Sequence, residues 1–377
     1  MPKRPLNILH LCSWYPSRKH PTLGNFVARH VEAISREHRG WVLSAVAAEY
    51  NDLTVTEHAN FREVIVYFRK RLPLLSFLKA LRRGYTVIEN KGYRPDLIHL
   101  HVAWPAGLFC LMLKRPFIIS EHFSGYQPSR KHPWRSWEKW LVRKIFNRAS
   151  LVCPVSQQLG ESLQSFGVNA RIQAIGNVVD EDHFFPPEQR AETPEIRLLH
   201  ISTLDDEVKN IQGLLNAFAT LLNREDRFIL AVGGDGDLEQ LQRQIKAAGI
   251  PANQIELLAT MNAPEVAAQM RRSDALVLFS WVENQPVVLL EALCCGLPVI
   301  ATRVGGIPEI FSEPDGQLIE AGDQEALVQA CLQVEPLSIK EAQLRGQRFR
   351  KIHGRAAIRR QFTEAYLSVL RKANADR

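Results

Sequence analysis

The sequence is poor in the features that would place a protein outside a reducing compartment or across a membrane. It has only six cysteines, none of them in a Cys-x-x-Cys pair, and most lie inside apolar runs. Buried, reduced thiols are therefore expected, rather than disulfides or a cysteine metal site. No apolar run reaches the about 18 uncharged residues of a membrane-spanning helix. The apolar run at residues 6–12 is too short for a secretion signal, so a cytoplasmic protein is predicted.

An evident cluster of metal ligands and an internal repeat are also missing. We therefore predict metal independence and no bound cofactor, with cationic side chains and helix N-termini stabilising any anionic group. No aromatic–glycine RNA-binding pattern or helix-turn-helix occurs. A nucleic-acid partner is therefore not expected, although the net charge is +7.

The charge is unevenly divided along the chain. Residues 1–175 carry 26 lysines and arginines against 11 acidic residues, whereas residues 176–377 carry 21 against 29. A basic half followed by an acidic half predicts two domains with different partners. The basic half should favour an anionic surface, such as lipid headgroups, nucleic acid or a phosphorylated substrate.

Short apolar runs alternate with longer amphipathic stretches, which predicts βαβ units and mostly parallel sheets. In the first half, strands are predicted at 6–12, 41–47, 62–68, 97–101, 116–120, 151–154 and 171–175, and helices at 24–38, 74–91, 105–113, 134–148 and 156–166. In the second half, strands are predicted at 196–202, 228–232, 254–258, 275–279, 298–301 and 316–319, and helices at 211–222, 237–248, 263–271, 286–295 and 323–332. One or two helices should fill 338–373.

The alternation weakens over residues 176–194, where a hinge is predicted, and then restarts. The fold class is therefore α/β, with two Rossmann-like doubly wound domains facing each other across a cleft. Open sheets of this kind bind ligands beyond the carboxyl ends of their strands. The predicted domains are 1–180 and 181–355, with a last helix at 356–377 packing back on the first domain.

The strongest chemical signal begins at Ser280 and reads SWVENQPVVLLEALCCGLPVIAT. Pro286 suits the first position of a helix, where its missing N–H does no harm. Glu283 then precedes the helix, whose free N–H groups suit phosphate, and Glu291 lies inside it. From the residues alone, the favoured alternative is that Glu283 is a neighbour of the helix cap and that Glu291 faces solvent.

The run from Glu291, Glu-Ala-x-x-x-Gly-x-Pro-Val-Ile-Ala, lies eight residues after Glu283 and is followed by Gly-Gly-Ile-Pro-Glu at 305–309. This pattern resembles the signature of glycosyltransferase family 4, which implies the GT-B fold and retention of anomeric configuration. Further segments resemble the same family at 6–26, 95–101 (PDLIHLH), 154–156, 177–180, 200–210 and 233–236.

The resemblance implies roles for individual residues. Glu283 would contact hydroxyls of the donor sugar near the reacting face, and Glu291 would hold the ribose hydroxyls of the nucleotide. Lys209 would pair with the diphosphate, whose leaving charge must be stabilised. His101 would lie between donor and acceptor, and main-chain N–H groups at Gly24 would approach the phosphates or the acceptor. Further carried-over positions are Gly234, Pro286 and Val287 for the donor, and Glu121, His122, Arg130 and Lys131 for the acceptor.

The sequence departs from the family at the diphosphate. The family usually has an arginine about five or six residues before the lysine. This chain has Thr203 there, and three acidic residues at 205–207 precede Lys209. Arg303 or Arg18 could supply the missing cation.

Two basic segments with aromatic or apolar residues lie in the first half. Over 128–148, seven lysines and arginines accompany a single glutamate. A helix there would carry an apolar stripe and a basic flank, which suits a membrane interface. The stripe would contain Trp134, Trp137, Leu141 and Ile145, and the flank Arg135, Lys139 and Arg143. Residues 69–83 have a similar character. Both stripes could instead pack on the protein's own sheet, and an anionic or lipid-linked acceptor would explain the charge equally well.

The resulting prediction is a retaining glycosyltransferase that moves a hexosyl unit from a UDP- or GDP-linked sugar to a glycan or lipid-linked acceptor. The pathway would be cell-surface polysaccharide or glycolipid synthesis, at the inner face of the membrane. A sugar phosphorylase is disfavoured because no context for a pyridoxal-phosphate lysine is visible, and a nucleotide-sugar epimerase is a further rival. A non-catalytic nucleotide-sugar-binding protein of the same fold is the alternative.

Overall fold

The computed structural model describes residues 4–70, 72–128, 130, 133–190 and 193–375. The chain divides into two compact units. Unit 1 contains residues 1–178 and 355–377, and unit 2 contains residues 179–354. Each unit holds one sheet covered by helices on both faces, as expected when apolar strands are separated by amphipathic helices.

The elements of the first half, in chain order, are β1 (Asn7–Cys12), α1 (Asn25–Ser35), β2 (Arg39–Ala48), β3 (Asp52–Glu57), β4 (Phe61–Arg69), α2 (Pro73–Asn90), β5 (Leu97–His101), α3 (Gly107–Met112), β6 (Phe117–Glu121), α4 (Ser136–Arg148), β7 (Leu151–Pro154) and α5 (Gln157–Phe166).

The elements of the second half are β8 (Ile196–Ser202), α6 (Asp206–Lys209), α7 (Ile211–Leu222), β9 (Phe228–Gly234), α8 (Leu238–Ala247), β10 (Ile255–Leu258), α9 (Ala263–Arg272), β11 (Ala275–Leu278), α10 (Val287–Cys294), β12 (Val299–Thr302), β13 (Gly316–Ile319), α11 (Gln324–Leu332), α12 (Ile339–His353) and α13 (Arg355–Ala375).

The sheet of unit 1 has seven strands in the order β3-β4-β2-β1-β5-β6-β7. All neighbours are parallel except β3, which runs antiparallel to β4. The central strands β5 and β6 are buried along their whole length, because helices cover both faces. The last helix, α13, packs against α1 on one of these faces, where Phe362 and Tyr366 are fully buried.

The sheet of unit 2 has six parallel strands in the order β10-β9-β8-β11-β12-β13. Its two faces carry separate apolar clusters, one under α7 and α11 and the other under α9 and α10. The strand order changes direction between β8 and β11, so the loops after these two strands meet at the carboxyl edge. That edge is where an open sheet of this topology binds ligands.

Several sequence predictions differ from the structure in identifiable ways. The predicted strand at 171–175 is wrong: only one isolated bridge joins Ile172 to Val152. The antiparallel strand β3 was missed because its alternating residues face solvent at the sheet edge. The short helix α6 was also missed, since one turn carries no periodic signal. The predicted helix at 105–113 is confined to α3, which begins two residues later.

Candidate active-site residues in the two units

In unit 2, the loop after β8 brings a lysine to a buried glutamate. Asp205 caps α6 by accepting the N–H of Glu207, and this single turn ends at Lys209. The Lys209 Nζ atom lies 2.5 Å from Glu283 Oε1, and the Ser280 hydroxyl donates to the same oxygen at 2.9 Å. Glu283 is 7% exposed. The ion pair and the hydroxyl hydrogen bond give the mostly buried carboxyl group two polar partners, which offset part of the cost of burying it.

Backbone hydrogen bonds hold the glutamate's loop between neighbouring elements. The Trp281 N–H donates to the carbonyl of Val208 in α6 at 2.8 Å. The Thr302 hydroxyl, at the end of β12, donates to the carbonyl of Ser280 at 2.7 Å. The Gly306 N–H donates to the carbonyl of Asn284 at 2.8 Å. The loop that carries Glu283 is therefore fixed by α6 on one side and by the end of β12 and the following segment on the other. Such rigid support holds a reacting group in position.

The helix after this loop begins one residue later than expected. Pro286 is the N-cap of α10 rather than its first helical residue, and Val287 is the first. Glu291 lies in α10 and is 6% exposed, so the alternative of a solvent-facing residue is wrong. The first turn of α10 and the Lys209–Glu283 pair thus lie at the same edge of the sheet, following β11 and β8.

Gly234 ends β9 at the place where the chain passes closest to β8. Its φ angle is +148°, and a Cβ atom there would lie 1.7 Å from the carbonyl oxygen of Ser202. Only glycine fits such an approach. Asp237, three residues after Gly234, caps α8 by accepting the N–H of Gln240 at 3.0 Å.

The sequence offered two arginines, Arg303 in unit 2 and Arg18 in unit 1, as replacements for the family arginine that is missing at Thr203. Arg303 directly follows β12 at the carboxyl edge of unit 2, where its Nε lies 3.2 Å from Glu320 in a half-exposed pair. Arg18 belongs to unit 1, forms an ion pair with Asp52 and lies 4.5 Å above the ring of Tyr67. Arg303 therefore lies at the same carboxyl edge of the unit 2 sheet as Lys209. Arg18 instead pairs with Asp52 at the start of β3 in unit 1.

In unit 1, the predicted acceptor-side residue Glu121 also lies at the carboxyl end of a parallel strand. Glu121 ends β6 and is fully buried, and three main-chain N–H groups converge on its carboxyl group. They belong to Ala103 at 2.9 Å, His122 at 2.8 Å and Phe123 at 2.9 Å. Burial raises the pKa of Glu121 to about 7, against the opposing pull of these three donors. This carboxyl organises the backbone after both β5 and β6.

His101 and His122 lie in a group of five histidines that the sequence patterns did not reveal. The others are His10 on β1, His30 on α1 and His99 on β5; all but His122 are fully buried. The His101 Nε2 and His10 Nδ1 atoms are 3.1 Å apart, and His30 Nε2 lies 3.1 Å from the Gly176 carbonyl. Burial lowers the pKa of His30 to about 4 and that of His101 well below its usual value. These imidazoles are therefore neutral at pH 7.

Gly24 caps α1 in the left-handed region with φ +78°. A Cβ atom there would lie 2.8–2.9 Å from main-chain atoms of Trp14 and Tyr15, so the loop after β1 packs directly on the start of α1. Phe26, in the first turn of α1, places its ring 4.3 Å from that of His122. The predicted Gly24 position thus lies beside the histidine group of the same unit.

The two basic predictions on the acceptor side have different outcomes. Arg130 donates to the hydroxyl of Ser124, and its main-chain N–H bonds to the carbonyl of Gln127. Lys131 lies outside the described residues. Arg130 therefore closes the turn after β6.

The amphipathic stripe predicted for 134–148 is divided in the structure: Trp134 and Ile145 pack on the protein's own core, whereas Trp137 is exposed. α4 begins at Ser136, and its buried face consists of Val142, Ile145 and Phe146. Trp137 and Trp140 are exposed instead, on a face that continues through Lys144 and Arg148. Across the described residues, no helix is both long and apolar enough to span a bilayer.

The buried Glu121 carboxyl should be intolerant of a neutral isostere. In Glu121→Gln, the amide nitrogen must face one of the three N–H donors, which leaves a buried donor unpaired. We expect a loss of about 1–3 kcal/mol in the free energy of unfolding, measured by urea titration. The exposed Glu161 is the matched control, and Glu161→Gln should change that free energy by less than about 0.5 kcal/mol. Equal effects of the two substitutions would refute the assigned hydrogen bonding.

Two doubly wound α/β units, each with polar side chains at the carboxyl ends of its parallel strands, define the GT-B class of fold. The family model "Glycosyl transferases group 1" matches residues 181–348, and the model "Glycosyltransferase Family 4" matches residues 24–183. The chain belongs to this family of glycosyltransferases.

Individual relatives are similar at modest identity. N-acetyl-alpha-D-glucosaminyl L-malate synthase from Bacillus anthracis is 29% identical over 63% of this chain. Alpha-monoglucosyldiacylglycerol synthase from Streptococcus pneumoniae is 29% identical over 62%. The matches span 65% and 56% of these relatives' own lengths. The structure of HepE from Anabaena, in complex with UDP and glucose, matches with a TM-score of 0.70 and 17% identity over 96% of this chain and 100% of that one.

Proposed function

We propose that this protein is a retaining glycosyltransferase that moves a hexosyl unit from a UDP- or GDP-linked sugar to a glycan or lipid-linked acceptor. The observation that carries the proposal is the Lys209–Glu283 pair, 2.5 Å apart at the carboxyl edge of unit 2 and beside the start of α10. A cation, a buried carboxylate and free helix N–H groups are the parts that binding a sugar diphosphate requires.

Each part has a distinct task in this proposal. Lys209 neutralises the charge that develops on the diphosphate as the glycosidic bond breaks. Glu283 accepts hydrogen bonds from hydroxyls of the donor sugar and orients its anomeric carbon. Glu291, on the inner face of α10, accepts hydrogen bonds from the ribose hydroxyls. Arg303, on the same edge, supplies the second cation in place of the family arginine. No metal ion is needed, because these cations offset the leaving charge.

The basic unit 1 is proposed to hold the acceptor. His101, beside the backbone organised by Glu121, lies at the carboxyl edge where an acceptor hydroxyl would bind. Retention of configuration is the property of the family, and among the residues that the structure describes no side chain is an obvious covalent nucleophile. The relative that makes alpha-monoglucosyldiacylglycerol supports a lipid-linked acceptor in cell-surface polysaccharide or glycolipid synthesis.

The second candidate function is a nucleotide-sugar-binding protein without transfer activity. One observation favours it: Thr203 stands where the family has arginine, and Lys209 already contacts Glu283. A single lysine shared with a carboxylate would bind a diphosphate while stabilising its departure less well.

The proposed function is tested with a panel of UDP- and GDP-sugars, incubated with the purified protein and a membrane extract. Release of the nucleotide and incorporation of radiolabelled sugar into the extract are measured together. Release and incorporation with one donor establish the transferase and identify its sugar. Binding of a donor by calorimetry, without release or incorporation, supports the non-catalytic candidate.

We also propose that unit 1 associates peripherally with an anionic membrane, through the outer face of α4. This face comprises Trp137, Trp140, Lys144 and Arg148, which recur at helical spacing. Trp140 is 61% exposed, and the Lys144 Nζ atom lies 5.1 Å from its ring centroid. Exposed tryptophan next to lysine suits the headgroup region, where the ring is half-buried and the ammonium meets phosphate.

Vesicle sedimentation should detect this association. We expect binding to vesicles containing anionic phosphatidylglycerol, weakening with salt, and about tenfold weaker binding for Trp140→Ala, the effect of removing one large apolar contact. Leu344 has the same 61% exposure but lies in unit 2, so Leu344→Ala should bind like the wild type. Equal binding by Trp140→Ala and the wild type, or no binding to anionic vesicles, would rule out α4 as the contact.

A further inference from the structure

Three of the five histidines in unit 1 converge from different elements. His30 comes from α1, His101 ends β5, and His122 follows β6. One ring nitrogen from each lies within 4.8 Å of the others. His30 and His101 are fully buried, and His122 is half-buried. Three imidazoles at this spacing need only small side-chain rotations to reach the about 3.3 Å separation of nitrogens around one tetrahedral ion.

Existing hydrogen bonds prepare two of these rings to act as ligands. The Gly176 carbonyl can only accept, so His30 Nε2 carries the proton and His30 Nδ1 carries a lone pair. His101 Nε2 lies 3.1 Å from His10 Nδ1, and donation in that direction leaves the lone pair of His101 on Nδ1. A hydrogen-bond acceptor behind the ligand histidine, such as the backbone carbonyl behind His30, is usual around protein-bound metals, because it fixes the tautomer and the ring orientation.

The same two nitrogens are otherwise unexplained. His30 Nδ1 and His101 Nδ1 are buried and have no hydrogen-bond partner in the described part of the chain. A buried polar atom without a partner costs about 1–3 kcal/mol. Two such atoms in neighbouring rings, whose centroids are 6.3 Å apart, indicate a site for a metal ion that accepts their lone pairs.

A second histidine trio is excluded by its hydrogen bonds. His10, His99 and His101 also bring ring nitrogens within 4.8 Å of one another. Both ring nitrogens of His99 are occupied, however, by the Tyr366 hydroxyl and by the Ser120 hydroxyl, each at 2.7 Å. His99 would have to break a short buried hydrogen bond to bind an ion.

We propose that His30, His101 and His122 form a binding site for a borderline transition-metal ion such as Zn²⁺. Neutral imidazole nitrogens suit Zn²⁺, Cu²⁺ and Ni²⁺, and three of them leave a fourth position open to water or a ligand. The proposed ion takes no part in sugar transfer, for which the proposed function needs no metal, but it shares His101 with the proposed acceptor site. Since His101 is proposed to lie at the acceptor, an ion bound there would inhibit transfer; this consequence rests on the proposed function.

The test uses Co²⁺ as a spectroscopic probe for Zn²⁺, on full-length protein that has been treated with chelator and carries no histidine tag. We expect one equivalent of Co²⁺ to produce visible absorption bands of a four- or five-coordinate ion, and Zn²⁺ to displace it. In His30→Ala and His122→Ala the affinity should fall by more than about tenfold. His20 is exposed and outside the group, so His20→Ala should bind Co²⁺ like the wild type.

Folding is checked independently of metal binding. Near-UV circular dichroism of each variant shows whether the unit is intact, and His122→Ala, which removes a half-buried ring, should be the least disruptive. Zn²⁺ should raise the melting temperature of the wild type and of His20→Ala, but not of folded His122→Ala. No Co²⁺ bands in the wild type, or equal affinity in the folded His122→Ala protein, would overturn the metal site.

Metal binding and sugar transfer are read separately, so their failures are distinguishable. The absorption and melting measurements need no substrate and stand even if no donor is turned over. If transfer is observed, Zn²⁺ should inhibit the wild type at concentrations that saturate the Co²⁺-competition signal. Transfer unaffected by saturating Zn²⁺ would remove the inhibitory consequence and leave the metal site in place.

Discussion

Replacing Glu283 by glutamine should lower the turnover number for sugar transfer by about 10²–10³ while nucleotide binding is retained. The carboxylate lies against Lys209 Nζ at 2.5 Å and receives the Ser280 hydroxyl, so its charge is positioned before substrate arrives. Glutamine preserves the shape but removes the charge that orients the sugar. It also leaves Lys209 without its anion, which favours contact of the lysine with a diphosphate. The expected signature is therefore a fall in kcat with unchanged or tighter binding of UDP or GDP.

Loss of stability is separated from loss of function by a matched substitution. Arg197 and Glu256 form an ion pair of the same 2.5 Å length, but at the amino end of β8. Glu256→Gln should leave turnover within about twofold of the wild type, because the pair lies away from the Lys209 end of β8 and Arg197 keeps its hydrogen bonds to Ser273 and Gln269. Turnover is measured by nucleotide release below the melting temperature of each variant, with calorimetry for nucleotide affinity. Turnover of Glu283→Gln within tenfold of the wild type would remove Glu283 from the reaction.

Gly234→Ala is expected to be among the most destabilising single substitutions in unit 2, with a loss of more than about 4 kcal/mol in the free energy of unfolding. The new Cβ would lie 1.7 Å from the Ser202 carbonyl oxygen, and Ser202 is the residue paired with Gly234 between β8 and β9. Two backbones would have to separate, at the end of the strand that leads to Lys209. Donor binding should be lost together with stability.

Gly249→Ala is the control for backbone strain alone. Gly249 also has a positive φ angle, +70°, but nothing lies within 4 Å of the position of a Cβ atom. Its substitution should cost only the left-handed strain of about 1–2 kcal/mol. Urea titration monitored by far-UV circular dichroism compares the two variants. Similar losses at both positions would mean that β8 and β9 can move apart easily, and that the close approach at Gly234 is not required.

The sequence predicted the regular elements of the sheets well where strands are buried. β5, β6 and β11 are short apolar runs between turn signals, and such runs read the same way in sequence and in structure. β3 did not follow this rule, because an edge strand needs only one covered side and its alternation DLTVTE looks like a loop. At 171–175 a strand was predicted that the structure does not form. The run is apolar enough for a strand, but it makes one isolated bridge beside β7.

The stripe on α4 shows that apolar spacing alone does not decide which face of a helix is buried. The predicted stripe was assigned to a membrane interface, with packing on the protein's own sheet as the alternative. In the structure its member Ile145 is buried with Val142 and Phe146, and its member Trp137 is exposed. Trp134 precedes the helix and packs on Tyr126, with ring centroids 5.5 Å apart. The exposure of Trp137 and Trp140, on which the membrane proposal rests, could be identified only from the structure.

What the sequence determined by itself was the order of elements and the motif that starts at Glu283. Both depend on short stretches of sequence, in which the spacing of apolar residues and the positions of proline and glycine act locally. What only the tertiary structure decided was which distant side chains meet. Lys209 and Glu283 are 74 residues apart, and His10 and His101 are 91 apart. They become neighbours because the strand order places β8 beside β11 and β1 beside β5. That order depends on the packing of whole helices and sheets, which no short window of residues records.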